Sequence, residues 1–283
     1  MNKAIQFYKL HGCGNSFIFV NEAALVGRQY SSFAKFVSGA GFGIGADGLF
    51  VYQGFIDGCY QVMMFNPDGS DGQMCANGLR CLARYLFLSD ILKERAGEFL
   101  VKIGSRQIAV SYKESGKLVK LNMGSAIFLA RSIPIALNVE QFIDSPIEAL
   151  GRTFKASVVS VGNPHLVVFG ERMAKEQIAE YGSALEHHPL FPDRINVEFV
   201  QIIDSGIFRV QVWERGAGMT LACGSGACAV AAVAKQLGLS KHDTVIIEMD
   251  GGSLMVSWDG DLSSPIYLEG PAEEICRGEL FAS

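Results

Sequence analysis

The 283-residue sequence predicts an α+β protein of the two-lobe α/β kind. Two pseudo-symmetric lobes are expected, each a mainly antiparallel sheet wrapped around a central buried helix, with the active site in the cleft between lobes. Three observations lead there. Many short apolar stretches are bounded by Gly, Asn, Asp or Pro, as strands are. Only four stretches have the length and periodicity of helices. A set of landmarks recurs at an offset of 148 positions, the signature of an internal repeat.

In chain order, IQFYKL, FIFV, GLFVY, YQVMMF and KLVKLNM read as strands of the first lobe, and ASVVSV, HLVVF, VEFVQII, IFRVQVW, TVIIEM and GSLMVSW as strands of the second. Their aromatic and β-branched residues suit a pleated, half-buried surface. Helices are expected over residues 31–38, 76–92, 172–181 and 224–237. In the second and fourth of these, LRCLARYLFL and ACAVAAVA are apolar around most of their circumference, as a helix enclosed by strands must be.

The repeat is visible in spacing. Asn15 precedes Cys75 by 60 positions, and Asn163 precedes Cys223 by 60. FNPDGSDGQMCANG lies over WERGAGMTLACGSG without a gap, setting Phe65 against Trp213 and Asn66 against Glu214. The expected lobes are residues 1–130, carrying Cys75, and 131–283, carrying Cys223.

Composition narrows the function. A hydrophobic content of 49% with 19% charged residues describes a chain that folds throughout. Net charge is −5 with scattered Lys and Arg, so no basic footprint for nucleic acid exists. No apolar run approaches the roughly 18 residues of a membrane span, and MNKAIQFYKLHGCG lacks the apolar block of a signal peptide. A cytoplasmic protein is expected. Seven cysteines, at 13, 59, 75, 81, 223, 228 and 276, are an odd count that speaks for thiols rather than a disulfide framework.

Cys75 and Cys223 each stand at a helix start after a Gly-rich loop. Unpaired N–H groups and the macrodipole put about half a positive charge there, which favours a thiolate and also binds carboxylates. Two such thiols on opposite sides of one α-carbon supply a base to remove its proton and an acid to return one, which is what inversion of a stereocentre requires. Cys81 and Cys228, six and five positions further on, point to other sides of their helices and read as core. GAGFGIGADG follows a helix and enters a strand, the reverse of a dinucleotide fingerprint. No cofactor and no metal are expected.

KLHGCGNSF, GIGADG, FNPDGSDGQMCANG, VGNPH, RINVEFVQ and ERGAGMTLACGSGACA run from end to end of the chain. In these motifs the sequence closely resembles the diaminopimelate epimerase family. The resemblance implies a cofactor-independent isomerase, usually a homodimer of two-lobed chains, that interconverts LL- and meso-diaminopimelate in lysine and peptidoglycan-precursor synthesis. Carried over position by position, Cys75 and Cys223 match the acid/base thiols. Ala76, Asn77, Gly224 and Ser225 match the amides that hold the α-carboxylate, and Glu214 with the Arg215 carbonyl matches the receiver of the α-ammonium. Asn66, Asn163, Asn196 and the Arg215 side chain correspond to recognition of the distal amino-acid end, and Asn15 to a further substrate contact. His165 matches a histidine near the thiols which, with Glu214, tunes their pKa values.

Four positions depart from the family pattern: Ala76 for glycine, Met219 for an acid, Ser16 for aspartate and Gly48 where many members have glutamine. A looser pocket acting on glutamate follows as an alternative, beside a proline or hydroxyproline racemase. From other classes come a thiol-disulfide oxidoreductase and a non-catalytic amino-acid-binding protein.

Overall fold

A computed structural model describes residues 4–72 and 74–281. The chain forms two compact units, Met1–Leu121 with Gly270–Ser283, and Asn122–Glu269. The first contains β1 (Ile5–Gly12), β2 (Asn15–Asn21), α1 (Tyr30–Ser38), β3 (Leu49–Ile56), β4 (Cys59–Phe65), α2 (Ala76–Leu88), β5 (Gly97–Ile103), β6 (Arg106–Lys113) and β7 (Leu118–Asn122). The second contains β8 (Ser145–Ala149), β9 (Arg152–Ser160), β10 (Pro164–Phe169), α3 (Lys175–Glu186), β11 (Asn196–Asp204), β12 (Ile207–Glu214), β13 (Gly218–Thr220), α4 (Gly224–Gln236), β14 (Thr244–Met249), β15 (Gly252–Ser257) and β16 (Tyr267–Pro271). The last strand, β17 (Glu273–Leu280), belongs to the first unit.

Within the first unit the strands neighbour one another in the order β17, β1, β2, β3, β4, β5, β6, β7, with β2–β3 and β4–β5 parallel and the rest antiparallel. The second repeats the plan as β8, β9, β10, β11, β12, β14, β15, β16, with β10–β11 and β12–β14 parallel. Register repeats as well. Ile18↔Leu49 recurs 148 residues later as Leu166↔Val197, and Leu49↔Phe65 as Val197↔Trp213. The expected duplication is therefore present down to individual strand partners.

The partition differs from 1–130 and 131–283. β17 pairs along β1, from Ile5↔Leu280 to His11↔Glu273, just as β8 pairs along β9. Without it β1 would expose an edge of unsatisfied N–H and C=O groups.

Both central helices are buried nearly all round, ten of thirteen residues in each, so the strands enclose them. Aromatic residues line α2: Phe19 stacks on Phe50 at 5.0 Å and on Tyr85 at 5.2 Å. The buried face of α4 is Ala, Val, Gly and Cys228. The outer helices bury one face only. Phe33, Ala34 and Val37 of α1 join Ile5, Ile18, Leu49 and Val51, while Ile178 and Leu185 of α3 join Ile147, Phe154, Leu166 and Phe199.

Helix ends differ from expectation for local reasons. α2 stops at Leu88, where Ser89 hydrogen-bonds the Tyr85 carbonyl and Asp90 turns to a φ of 63°; the N–H groups of Ile91 and Leu92 then fold back onto the Leu86 carbonyl. α3 starts later and runs further than 172–181, its start held by the Ala174 N–H to Gln177 Oε1 bond at 3.0 Å. The hairpin β5–β6 was not among the expected strands; its apolar runs are short, broken by Glu98 and Lys102 in β5 and by Gln107 and Ser111 in β6.

Candidate active site

In the first unit, β4 delivers the chain into the loop Asn66–Gly72, which folds on its own side chains. Asn66 Nδ2 donates to Ser70 Oγ at 2.9 Å and to the Asp71 carbonyl at 3.4 Å, and Asp68 Oδ1 accepts from the Ser70 N–H at 2.9 Å. Asn66 thus shapes the approach to the helix. Cys75 follows as the N-cap of α2, extended at φ −118°, ψ 114°, and half-buried. Its Sγ lies 3.7 Å from Asn15 Oδ1, which also accepts from Asn77 Nδ2 at 3.4 Å. Asn15 is aimed by the turn before β2, where Cys13 and Gly14 have φ of 55° and 84°. Asn15, Cys75 and Asn77 form one group, with Ala76 buried between the last two.

Cys223 is the twin in the second unit, the N-cap of α4 at φ −124°, ψ 113°. Its sulfur accepts the Gly226 N–H at 3.3 Å and lies 3.4 Å from Ser225 Oγ; its own N–H points to Met249 Sδ at 3.4 Å. Glu214 closes β12, and its Oε1 accepts from Thr220 Oγ1 at 2.6 Å. Burial raises the Glu214 carboxyl pKa above the ordinary range, the Thr220 bond opposes that, and the charges of Glu198 and His165 add and subtract respectively. Burial raises Cys223 well above the usual thiol value. The carboxylates Glu214 and Glu198 add to this, against hydrogen bonds from Ser225 and Gly226. The dipole of α4 does not overcome these effects, and the thiol form of Cys223 is favoured over the thiolate.

His165, on β10, has no exposed side-chain surface. Its Nδ1 lies 2.7 Å from Glu198 Oε1 and its Nε2 3.1 Å from Asn163 Oδ1. Asn196, beside it in the parallel pair, uses Nδ2 on the Pro164 carbonyl at 2.8 Å and Oδ1 on the Arg215 N–H at 3.0 Å. The Arg215 guanidinium donates to the Asp193 carbonyl at 3.0 Å. The turn carrying Glu214 and Arg215 is also held by Glu186, the buried last residue of α3. Glu186 accepts from Trp213 Nε1 at 2.7 Å and from the Gly216 N–H at 2.9 Å.

Glu198, Thr220 and Glu186 were not named from the sequence. Glu198 had a signal, an acid inside the apolar run VEFVQII; the other two had none. The departures are accommodated. The Ser16 N–H donates to Asp47 Oδ2 at 2.7 Å, and Met219 is exposed on β13. At Gly48 a Cβ would stand 2.8 Å from the Phe65 carbonyl, so this backbone rejects the glutamine found elsewhere. Among the described residues no group of three or more His, Cys, Asp or Glu could hold a metal ion, and no helix is long and apolar enough to cross a membrane.

The twin-unit architecture places the chain in a fold class whose solved members include an epimerase and PhzF-family proteins. Solved structures of this fold include a PhzF-family phenazine biosynthesis protein from Enterococcus faecalis, with TM-score 0.69, 16% identity and coverage of 99% of this chain and 100% of that one. A hydroxyproline epimerase from Agrobacterium vitis gives TM-score 0.71 at 13% identity, covering 99% and 92%. The chain belongs to the diaminopimelate epimerase family, whose profile matches residues 7–129 and 157–275. It is 37% identical over 277 residues to the diaminopimelate epimerase of Acetivibrio thermocellus, covering 98% of each chain. Identity to that of Carboxydothermus hydrogenoformans is 38% over 282 residues, covering 98% of this chain and 100% of the other.

Proposed function

We propose that the protein interconverts LL- and meso-diaminopimelate by passing the α-proton between Cys75 and Cys223, one thiol acting as base and the other as acid on opposite faces of the same carbon. The observation that carries this reading is the pair of N-cap cysteines on buried helices 148 residues apart, with matching backbone angles. The burial and neighbouring carboxylates that favour the thiol form of Cys223 support it as the acid for one direction; the reverse direction exchanges the roles.

The N–H groups of Ala76, Asn77, Gly224 and Ser225 stand at helix starts, where an α-carboxylate is held and a developing carbanion stabilised without reorganisation. Glu214 receives the α-ammonium together with the Arg215 carbonyl. Asn15, Asn66, Asn163, Asn196 and Arg215 recognise the substrate, the last four at its distal end, while His165 and Glu214 tune the thiols. The reading includes a homodimer working in the cytoplasm, supported by the family and by seven free cysteines.

Rates on LL-diaminopimelate, glutamate and proline measured side by side test the substrate. A site whose polar groups are built for a distal amino acid rejects substrates lacking one by about 10³-fold or more in kcat/KM. Comparable rates on proline or glutamate would discard the assignment.

A further inference from the structure

His165 and Glu198 occupy positions that in the first unit belong to Phe17 and Phe50, 148 residues earlier. There the two rings meet edge to face at 5.3 Å under the start of α2. The second unit fills the same place under α4 with an imidazole and a carboxylate, neither exposed, and Glu198 Oε2 has no hydrogen-bond partner among the described residues. A buried polar pair is a costly filler where apolar side chains pack well, so its presence in one unit only indicates a task beyond packing. The seat is built to measure. At Gly226 a Cβ would lie 2.6 Å from Glu198 Oε1 and 3.3 Å from the Cβ of Cys223, so glycine alone leaves room, and the carboxylate lies under the positive end of α4.

Both nitrogens of His165 face oxygen: Glu198 Oε1 at 2.7 Å and Asn163 Oδ1 at 3.1 Å. Asn163 Oδ1 accepts, so Nε2 is the ring donor on that side, and the short contact on the other side ties Nδ1 to the Glu198 carboxyl. With its oxygen engaged by the ring, Asn163 turns its amide N–H groups the other way. We propose that Glu198 is a positioning residue for substrate recognition: acting through His165, it fixes the orientation of the Asn163 amide, so that Asn163 offers donors and selects a ligand group that accepts, such as a carboxylate. This deepens the epimerase reading and rests on it only for the identity of the ligand.

The test uses the full-length protein with ring-¹⁵N histidine, the His165 signals being assigned by their loss in His165→Gln. The wild type is expected to show a proton on Nε2, with an Nδ1 resonance displaced by the bond to Glu198. Glu198→Gln, of equal size, is expected to move the Nδ1 resonance and to raise KM for LL-diaminopimelate about tenfold with a smaller change in kcat. An Nε2 without a proton in the wild type, or an unchanged KM in Glu198→Gln, overturns the proposal. An Nε2 proton with an Nδ1 resonance that moves in the variant, in a protein inactive on LL-diaminopimelate, would support the role of Glu198 while removing the substrate assignment.

Discussion

Replacing Glu186 by alanine tests how the turn bearing Glu214 and Arg215 is held. The carboxylate accepts the Trp213 indole N–H at 2.7 Å and the Gly216 N–H at 2.9 Å, with Arg194 Nη1 3.6 Å away. Hydrogen bonds to a charged group contribute about 1.5–3 kcal/mol each. Gly216 is exposed and its released N–H turns to water, so that bond counts at the low end; Arg194 is half exposed and adds little. The indole N–H lies against α3, where a Cβ at Gly182 would stand 2.6 Å from the Trp213 ring, and finds no such substitute. The loss in Glu186→Ala is expected to be about 3 kcal/mol, and about half of that in Glu186→Gln, which keeps one acceptor oxygen. Urea unfolding with an unchanged m-value reads the stability difference, while Trp213 emission and KM report the loosened turn. Stability of Glu186→Ala within about 0.5 kcal/mol of wild type would refute the reasoning.

Three more outcomes are expected. Glu214→Gln abolishes activity yet raises Tm at neutral pH. The native carboxyl pKa is raised, so its favourable contribution is present below the ordinary Glu range and lost as pH rises through the native value; a Tm gap that widens toward acid contradicts this. Alanine at Gly78 would set a Cβ 2.4 Å from the Phe50 ring, and the overpacking cost of about 1–3 kcal/mol outweighs the roughly 1 kcal/mol gained in helix propensity; thermal unfolding of Gly78→Ala measures the net loss. In alkylation at pH 7.5 followed by peptide mass analysis, exposed Cys276 reacts readily. Cys223 reacts slowly, with a rate that climbs with pH, and Cys81 stays silent until unfolding; rapid labelling of Cys223 at neutral pH would show that it is not a resting thiol.

The parts legible in the sequence were those with a local signature. A thiol followed by small residues marks each central helix start, because a bulky side chain there would block approach to the backbone, and the offset of 148 aligned both units. β17 was hidden because its partner β1 is some 270 residues away, and neither strand records that pairing in its own pattern. β5 and β6 were hidden because polar residues break their apolar runs, Glu98 and Lys102 in one and Gln107 and Ser111 in the other. Asn66 and Asn196 carry contacts that their own stretches do not announce: their side chains bond to Ser70 and Asp71 and to Pro164 and Arg215. Glu186 looks like any charge at a helix end until the fold brings Trp213 onto it.

Turnover of LL-diaminopimelate in deuterated water, followed in wild type, Cys75→Ala and Cys223→Ala, probes the two-thiol transfer most directly. The account predicts that wild type forms meso product carrying deuterium at the inverted α-carbon and that each single replacement stops inversion. Inversion continuing in both variants, or meso product formed without solvent deuterium, would contradict it.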